Sequence, residues 1–133
     1  MTLLILSGTG EGREIARYLH QNGVDVIASL AGTTRTPRAQ EVPTRIGGFG
    51  GAQGFQDFLK AGEITAVLDA THPFANEISH RSARVCGALG VPYCLDQRPP
   101  WKAIEGDLWT ELADESKAAD HVRAGEVVFL ATG

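Results

Sequence analysis

The chain has 133 residues, of which 43% are hydrophobic and 21% charged. Because domains commonly hold about 100–150 residues, this length predicts one complete hydrophobic core, and the composition excludes a disordered chain. The formal net charge of −4 excludes the basic surface with which proteins bind nucleic acid. No apolar run approaches the ~20 residues needed to cross a bilayer, and the N-terminus lacks the basic stretch of a secretion signal. We therefore expect a cytoplasmic protein with neither nucleic-acid nor membrane partners.

Short apolar runs alternate with helical patterns along the first part of the chain. The apolar runs predict five strands, at 3–7, 24–30, 44–46, 64–70 and 91–95. Helical spacing predicts three helices between them: one over 11–21, one that ends at Gly62, and one that starts at 71–73, with Pro73 in its first turn, and ends at Gly90. This alternation predicts an α/β fold, an open doubly wound parallel sheet.

An Arg-Pro-Pro-Trp segment at residues 98–101 interrupts the alternation. Consecutive prolines fit neither a helix nor a strand ladder, so we predict a domain edge there, with one domain over 1–97 and the linker and start of a second α/β domain over 98–133. The remaining pattern predicts a strand at 108–112, a helix at 114–122 and a strand at 127–131. A chain that stops where the next helix would begin predicts a fragment of a longer protein.

A glycine-rich turn lies between the first strand and the first helix, at residues 7–13 (Ser-Gly-Thr-Gly-Glu-Gly-Arg). Dinucleotide-binding folds place their phosphate loop at this point. Gly8 is expected to permit the tight turn, and Gly10 to let the backbone approach a diphosphate beside the free N–H groups of the helix. The third glycine, Gly12, comes one residue earlier than in the usual fingerprint. The turn predicts a dinucleotide site, with a plain tight turn as the alternative.

Thr9, Glu11 and Arg13 in the same turn are further candidate cofactor-binding residues. The carboxylate of Glu11 suits the positive end of the helix dipole but would repel a phosphate, so we expect it to point outward. For Arg13 the sequence leaves two interpretations open, a contact to a phosphate oxygen and a solvent-exposed side chain.

The end of the second strand lacks the carboxylate that, about 20 residues beyond a phosphate loop, hydrogen-bonds the ribose 2′-hydroxyl of NAD. Residues 29–35 are Ser-Leu-Ala-Gly-Thr-Thr-Arg, and Arg38 follows. Hydroxyl and guanidinium groups thus stand where a negative charge would repel a 2′-phosphate. This indicates NADPH as the cofactor, with a solvated polar loop as the alternative. The candidate contacts are Ser29, Ala31, Thr33 and Thr34.

Two more loops follow strands at the same predicted edge. A Gly-Gly-Phe-Gly-Gly run at 47–51 would let the backbone approach the adenosine, with Gly48 as a contact and Phe49 packed beside it. Thr71 and His72 would lie toward the nicotinamide ribose and the substrate. For His72 two roles stay open, a catalytic proton donor and a residue that caps the following helix.

No metal site is predicted, because the histidines share no ligand spacing with other side chains. Cys86 and Cys94 form no Cys-x-x-Cys pair and are expected to be buried structural thiols. The spacings also indicate no Ser-His-Asp or Cys-His nucleophile. Hydride transfer needs none, since the cofactor carries that reaction.

The motifs described above occur within a longer series of characteristic segments. They are residues 5–16, 29–34, 47–51, 89–93, 98–101 and, most specific of all, 68–75 (Leu-Asp-Ala-Thr-His-Pro-Phe-Ala). In this order they resemble the precorrin-6A reductase family, from near residue 3 to residue 133. The resemblance implies an enzyme that uses NADPH to reduce a ring double bond of precorrin-6A, or of its cobalt-bearing counterpart, to precorrin-6B in cobalamin biosynthesis. It also implies two Rossmann-like halves with the cofactor and the tetrapyrrole substrate near their interface, of which this chain would hold the first.

Two other classes of protein would use the same loops. A non-catalytic dinucleotide-binding or sensing module would hold the cofactor without chemistry, and the fold alone does not separate it from a reductase. A sugar-nucleotide epimerase or dehydratase would need a Tyr-x-x-x-Lys pair, and neither Tyr18 nor Tyr93 has a lysine at that spacing.

Overall fold

The computed structural model of the chain describes residues 1–32, 41–99 and 102–129. The chain divides into two compact units, Met1–Pro99 and Pro100–Gly133. In the described part of the first unit, strands and helices alternate as β1 (Thr2–Ser7), α1 (Gly10–Gln21), β2 (Asp25–Leu30), β3 (Thr44–Ile46), α2 (Gly51–Ala61), β4 (Ile64–Ala70), α3 (Asn76–Leu89) and β5 (Tyr93–Leu95).

The strands form one sheet in the order β3-β2-β1-β4-β5, and every pair is parallel. β1 lies at the centre, where Leu4 pairs with Ile27 of β2 and with Val67 of β4. Because both faces of a parallel sheet are covered, its strands are continuous apolar runs. The predicted fold class, an α/β doubly wound parallel sheet, is confirmed.

Successive residues of β1 enter two separate cores, one on each face of the sheet. Ile5 packs with Ala16 of α1 and with Val26 and Ala28 of β2. Leu4 and Leu6 face the other side, where they pack with Phe55 and Leu59 of α2 and Val85 of α3. A fully buried side chain such as Leu4 or Phe55 stabilises the fold by roughly 1.5–3 kcal/mol relative to exposure. These cores fix the sheet edge that carries the loops.

Most predicted element ends agree with the structure. β3 and β4 have the predicted bounds, and β1, β2 and β5 differ by one or two residues. Gly90 takes the left-handed conformation, φ 68°, that ends α3, and α2 ends before Gly62 as predicted. The glycines at positions 62 and 90 therefore mark where these helices end.

The predicted start of α3 at residues 71–73 is wrong, since the helix begins at Asn76. The carboxylate of Asp69 accepts hydrogen bonds from the backbone N–H and the hydroxyl of Thr71, which holds the chain out of the helix. The N–H of Ala75 then donates to the carbonyl of His72 at 2.8 Å and closes a turn. Pro73 therefore lies in a loop rather than in a first helical turn.

The second unit departs from the predicted pattern. Residues 115–121 form a 3₁₀ helix rather than an α-helix, with the Asp114 side chain accepting from the N–H of Ser116. The strand predicted at 108–112 is wrong, and residues 127–129 are not in a strand either, while 130 and 131 lie outside the described residues. A strand needs a paired neighbour, and the described part of this unit offers none. Leu108 and Val127 are accordingly exposed.

Across residues 1–32, 41–99 and 102–129, every helix is too short or too polar to traverse a lipid bilayer.

Candidate functional site

Because all five strands run in the same direction, the loops that follow them meet at one edge of the sheet. At the centre of this edge lie β1 and β4, from which the chain continues in opposite directions along the sheet. Ligands of open α/β sheets bind at this switch point, outside the carboxyl ends of the strands. The described loops at this edge are residues 8–9, 31–32, 47–50, 71–75 and 96–99.

Thr9 shapes the turn between β1 and α1. It is the N-cap of α1, with its hydroxyl oxygen accepting from the N–H of Gly12 at 3.1 Å. The same hydroxyl donates to the carbonyl of Ala70 at 3.0 Å, and the N–H of Gly8 donates to that carbonyl at 3.1 Å. The turn is therefore held against the end of β4, which places the first turn of α1 at this edge of the sheet.

The three glycines of this turn serve different purposes. A Cβ at Gly12 would come within 2.8 Å of the Cβ of Ala70, so Gly12 lets α1 pack closely against β4. A Cβ at Gly8 would come within 3.2 Å of the Cα of Thr71, and Gly8 does not have a positive φ. Close packing, rather than a special turn conformation, therefore explains the glycine at position 8. A Cβ at Gly10 would meet nothing within 4 Å. The backbone at Gly10 is thus open to an incoming group.

The sequence predicts that Glu11 points outward. In the structure its side chain is half-exposed and is not free in solvent. Its carboxylate pairs with the guanidinium of Arg98, whose Nε lies 2.8 Å from Oε1. The hydrogen bond from its own backbone N–H lowers the pKa of Glu11 most, and the hydrogen bond from Arg98 lowers it further. The carboxylate therefore lies at the positive end of α1.

Arg13 is half-buried rather than fully exposed. Its Nε has no hydrogen-bond partner among the described residues. Arg13 thus keeps an unused hydrogen-bond donor on a residue of the first turn of α1.

At the end of β2, Ser29 is buried and its hydroxyl accepts from Nη1 of Arg45 at 2.8 Å. Ala31 is exposed at the sheet edge. Thr33 and Thr34 lie outside the described residues, as do Arg35 and Arg38. Of the candidate contacts after β2, the structure therefore brings Ser29 and Ala31 to the edge, and Ser29 already has a partner.

The loop after β3 contains Gly48 and Phe49. The ring of Phe49 packs edge-on against Phe55 and Phe58, with centroid distances of 4.8 and 5.2 Å. The guanidinium of Arg45 lies 3.9 Å from the Phe49 ring centroid. Gly48 is exposed, and its carbonyl accepts from Arg45 at 3.0 Å. Phe49 thus supports an arginine rather than presenting a bare ring to the edge.

A buried carboxylate underlies the loop after β4. Asp69 is fully buried and accepts from the Thr71 N–H at 3.0 Å, the Thr71 hydroxyl at 2.7 Å and the Tyr93 hydroxyl at 2.6 Å. The hydroxyls of Thr71 and Ser79 are 3.3 Å apart. Burial, followed by the hydrogen bond to Asp69, raises the pKa of Tyr93. Asp69 therefore fixes the conformation in which Thr71 meets the sheet edge.

His72 is exposed on this loop, and its Nδ1 accepts from the N–H of Phe74 at 3.3 Å. The interpretation of His72 as a helix cap is wrong, because the N-cap of α3 is Ala75 and no side chain caps that helix. The imidazole instead supports the turn that precedes α3.

A cavity of about 240 Å³ opens between three of the loops. Its walls include Thr9 and Glu11 after β1, Thr71 and Pro73 after β4, and Arg98 after β5. The hydroxyls of Thr9 and Thr71, the carboxyls of Glu11 and Asp96 and the guanidinium of Arg98 thus surround this space. Such a mixture suits a polar ligand with both charged and hydrogen-bonding groups.

The described residues contain no cluster of three His, Cys, Asp or Glu side chains arranged to hold a metal ion. Cys86 is buried as expected, and burial raises the pKa of its thiol. The expectation that Cys94 is buried is wrong, since it lies exposed on β5, an edge strand of the sheet that the described residues form.

Four residues with clear roles at this edge were missing from the sequence-based set: Arg45, Asp69, Tyr93 and Arg98. Asp69 had a visible signal, because a carboxylate inside an apolar strand run must be paired or hydrogen-bonded. Arg45 and Arg98 gave a weaker signal, since Arg45 lies within a predicted strand and Arg98 follows one. Only the sheet order shows which loops they reach.

Comparison with known proteins agrees with this architecture. The family model described as Precorrin-6x reductase CbiJ/CobK matches residues 2–133. The precorrin-6A reductase of Rhodobacter capsulatus is 43% identical over 132 residues, which cover 98% of this chain and 53% of that protein. The precorrin-6A reductase of Mycobacterium tuberculosis is 45% identical over 134 residues, again with 98% and 53% coverage.

A solved structure of CobK precorrin-6A reductase superposes with a TM-score of 0.87 at 41% identity, covering 92% of this chain and 49% of that one. The chain spans about half the length of these relatives. With a family model that matches nearly every residue and relatives above 40% identity, this chain belongs to the precorrin-6x reductase family.

Proposed function

We propose that this chain is the cofactor-binding part of an NADPH-dependent reductase that acts on precorrin-6A. In that reaction a hydride from the cofactor and a proton reduce one ring double bond and give precorrin-6B. The family membership and the names of the relatives support the reaction. Because the chain spans only about half of those relatives, we assign it the first, Rossmann-like domain, with residues 98–133 as the linker and the opening of a second α/β domain.

The observation that carries the proposal is the turn between β1 and α1. Thr9 caps the helix and ties the turn to β4, while Gly10 leaves its backbone open on the outer side. Exposed N–H groups and the helix dipole bind a diphosphate at such a position. A structural turn needs no open backbone, so this geometry favours the dinucleotide site over a plain tight turn.

The residues fit a dinucleotide along the rest of the edge. The diphosphate would lie over Gly10, the adenosine toward the ends of β2 and β3, and the nicotinamide ribose toward the cavity beside Thr71. When bound, NADPH supplies the hydride. Thr71 donates its hydroxyl proton to Asp69, so toward a ligand its oxygen acts as an acceptor. This suits a hydroxyl or amide N–H of the cofactor.

His72 is the proposed proton donor. It is exposed at the edge, and its neighbours Thr71 and Pro73 line the cavity. In the protein at its natural length, His72→Gln should slow the reduction of precorrin-6A and leave the dissociation constant for NADPH unchanged. Unchanged turnover would remove this assignment.

The proposal is tested in two measurements. The chain is titrated calorimetrically with NADPH and with NADH, and the protein at its natural length is mixed with NADPH and precorrin-6A while the absorbance of NADPH is followed. Binding of NADPH together with its oxidation in the presence of precorrin-6A supports the reductase. Binding without oxidation would identify a sensing module, and no binding of either dinucleotide would overturn the proposal.

A further inference from the structure

Arg45 lies one residue before the end of β3. The register of the sheet pairs it with Ser29, one residue before the end of β2. Dinucleotide folds hold the ribose 2′-substituent of the adenosine at the end of this second strand. Arg45 is therefore the described cation nearest in the sheet to the place where a 2′-phosphate would lie.

The contacts of Arg45 leave its charge uncompensated. Its three hydrogen bonds run to neutral acceptors, the Ser29 hydroxyl, the Gly47 carbonyl and the Gly48 carbonyl, at 2.8, 2.8 and 3.0 Å. The described residues place no carboxylate against it, and residues 31–40 include no Asp or Glu in the sequence. Burial lowers the pKa of Arg45, yet a guanidinium stays charged in proteins. A half-buried cation without an anion favours an anionic ligand.

The N–H donors of Arg45 that remain unused suit the binding of a phosphate. A guanidinium has five N–H donors, and the contacts above use two on Nη1 and one on Nη2. One donor on Nε and one on Nη2 are left. Two such donors bind a phosphate in a bidentate manner, and the stacking on Phe49 fixes the plane of the group.

We propose that Arg45 recognises the 2′-phosphate of the cofactor and is the residue that makes this site select NADPH over NADH. The inference rests on the proposed function, because it concerns one end of the same dinucleotide. A residue that only stabilised the loop 47–50 would support the binding of NADPH and NADH equally. A residue that binds the 2′-phosphate affects the binding of NADPH alone.

The test compares two short probes that differ only in the 2′-phosphate, adenosine 5′-monophosphate and 2′,5′-ADP. Their dissociation constants are measured by calorimetry for the wild type, Arg45→Gln, Arg45→Lys and the control Arg84→Gln, an exposed arginine of α3. We expect the wild type to prefer 2′,5′-ADP, and Arg45→Gln to reduce that preference roughly tenfold or more, as expected from the loss of charge-assisted hydrogen bonds. Arg45→Lys should keep part of it, and Arg84→Gln all of it.

Each outcome decides a separate question. If Arg45→Gln weakens both probes equally and the ratio of their dissociation constants stays the same, Arg45 is a structural tie and the inference is wrong. If the wild type binds both probes alike, the inference is also wrong, although the dinucleotide site survives. If the wild type binds neither probe, nor NADPH, nor NADH, the proposed function itself fails.

Discussion

The hydroxyl of Tyr93 donates a 2.6 Å hydrogen bond to the buried carboxylate of Asp69, which joins the edge strand β5 to the end of β4. Asp69 is fully buried, and its described partners are neutral donors: the Thr71 N–H, the Thr71 hydroxyl and the Tyr93 hydroxyl. A buried carboxylate that loses one of these partners is left with an unsatisfied oxygen. The contact thus couples the stability of the sheet to the shape of the candidate site.

Tyr93→Phe should lower the free energy of unfolding by about 1–3 kcal/mol, because the ring remains while Asp69 loses a hydrogen bond. Urea unfolding followed by circular dichroism measures the change. Tyr18→Phe is the matched control, since Tyr18 is 66% exposed and should be nearly neutral. Equal stability of the Tyr93 variant and the wild type would contradict the role assigned to this hydrogen bond.

Alkaline pH should act through the same tyrosine. The folded-state pKa of Tyr93 is raised, first by burial and next by the hydrogen bond to Asp69, so its contribution to stability is present below the ordinary pKa of about 10 and is lost as the pH rises above it. Partial exposure limits the slope to a fraction of the ~1.4 kcal/mol per pH unit of a fully protected group. Unfolding measured on either side of pH ~10 should show a steeper decline in the wild type than in Tyr93→Phe. Parallel declines would argue against it.

Gly12→Ala and Gly87→Ala should change stability in opposite directions. A Cβ at Gly12 would lie 2.8 Å from the Cβ of Ala70, so α1 must shift, and we expect a loss of about 1–3 kcal/mol. Gly87 lies within α3 with nothing within 4 Å of such a Cβ, so alanine should stabilise the helix by roughly 0.5–1 kcal/mol. Thermal unfolding of the two variants and the wild type measures both changes in stability. A neutral Gly12→Ala would show that the close approach of α1 to β4 is not needed.

Glu11→Gln should tighten NADPH binding. The carboxylate of Glu11 lies at the start of α1, where it repels a diphosphate, and the substitution removes that charge. We expect roughly a threefold to tenfold lower dissociation constant at low ionic strength, with a smaller gain at high salt because exposed charges are screened. Glu14→Gln, an exposed position farther along α1, is the control and should change little. Weaker binding by Glu11→Gln would instead mean that Glu11 is needed to hold Arg98.

Much of the fold follows from local sequence signals, because β1 and β4 are apolar runs and Gly62 and Gly90 stop helices without help from distant residues. The start of α3 could not be predicted in this way, since the capture of Thr71 by Asp69 depends on a buried carboxylate whose third partner, Tyr93, is 24 positions from it. The local periodicity of apolar residues carries no information about such contacts.

In the candidate site too, local features can be predicted from the sequence and long-range contacts cannot. The turn at Thr9 and Gly10 is a local motif and was predicted, whereas the pairing of Glu11 with Arg98 joins residues 87 positions apart. The register that sets Arg45 beside Ser29 likewise depends on the order of strands in the sheet. Strand order is a property of the assembled fold, so the sequence identified the loops but not the long-range partners within them.

The most direct test of the diphosphate site is the dissociation constant for NADPH of Gly10→Val, measured by calorimetry beside the wild type and Gly87→Val. Both glycines are helical, and neither would place a Cβ within 4 Å of other atoms, so both variants should fold. A side chain at position 10 would occupy the space above the first N–H groups of α1, and we expect at least a roughly tenfold rise in the dissociation constant. Gly87→Val should bind like the wild type. Wild-type affinity in Gly10→Val would contradict a diphosphate bound at this turn.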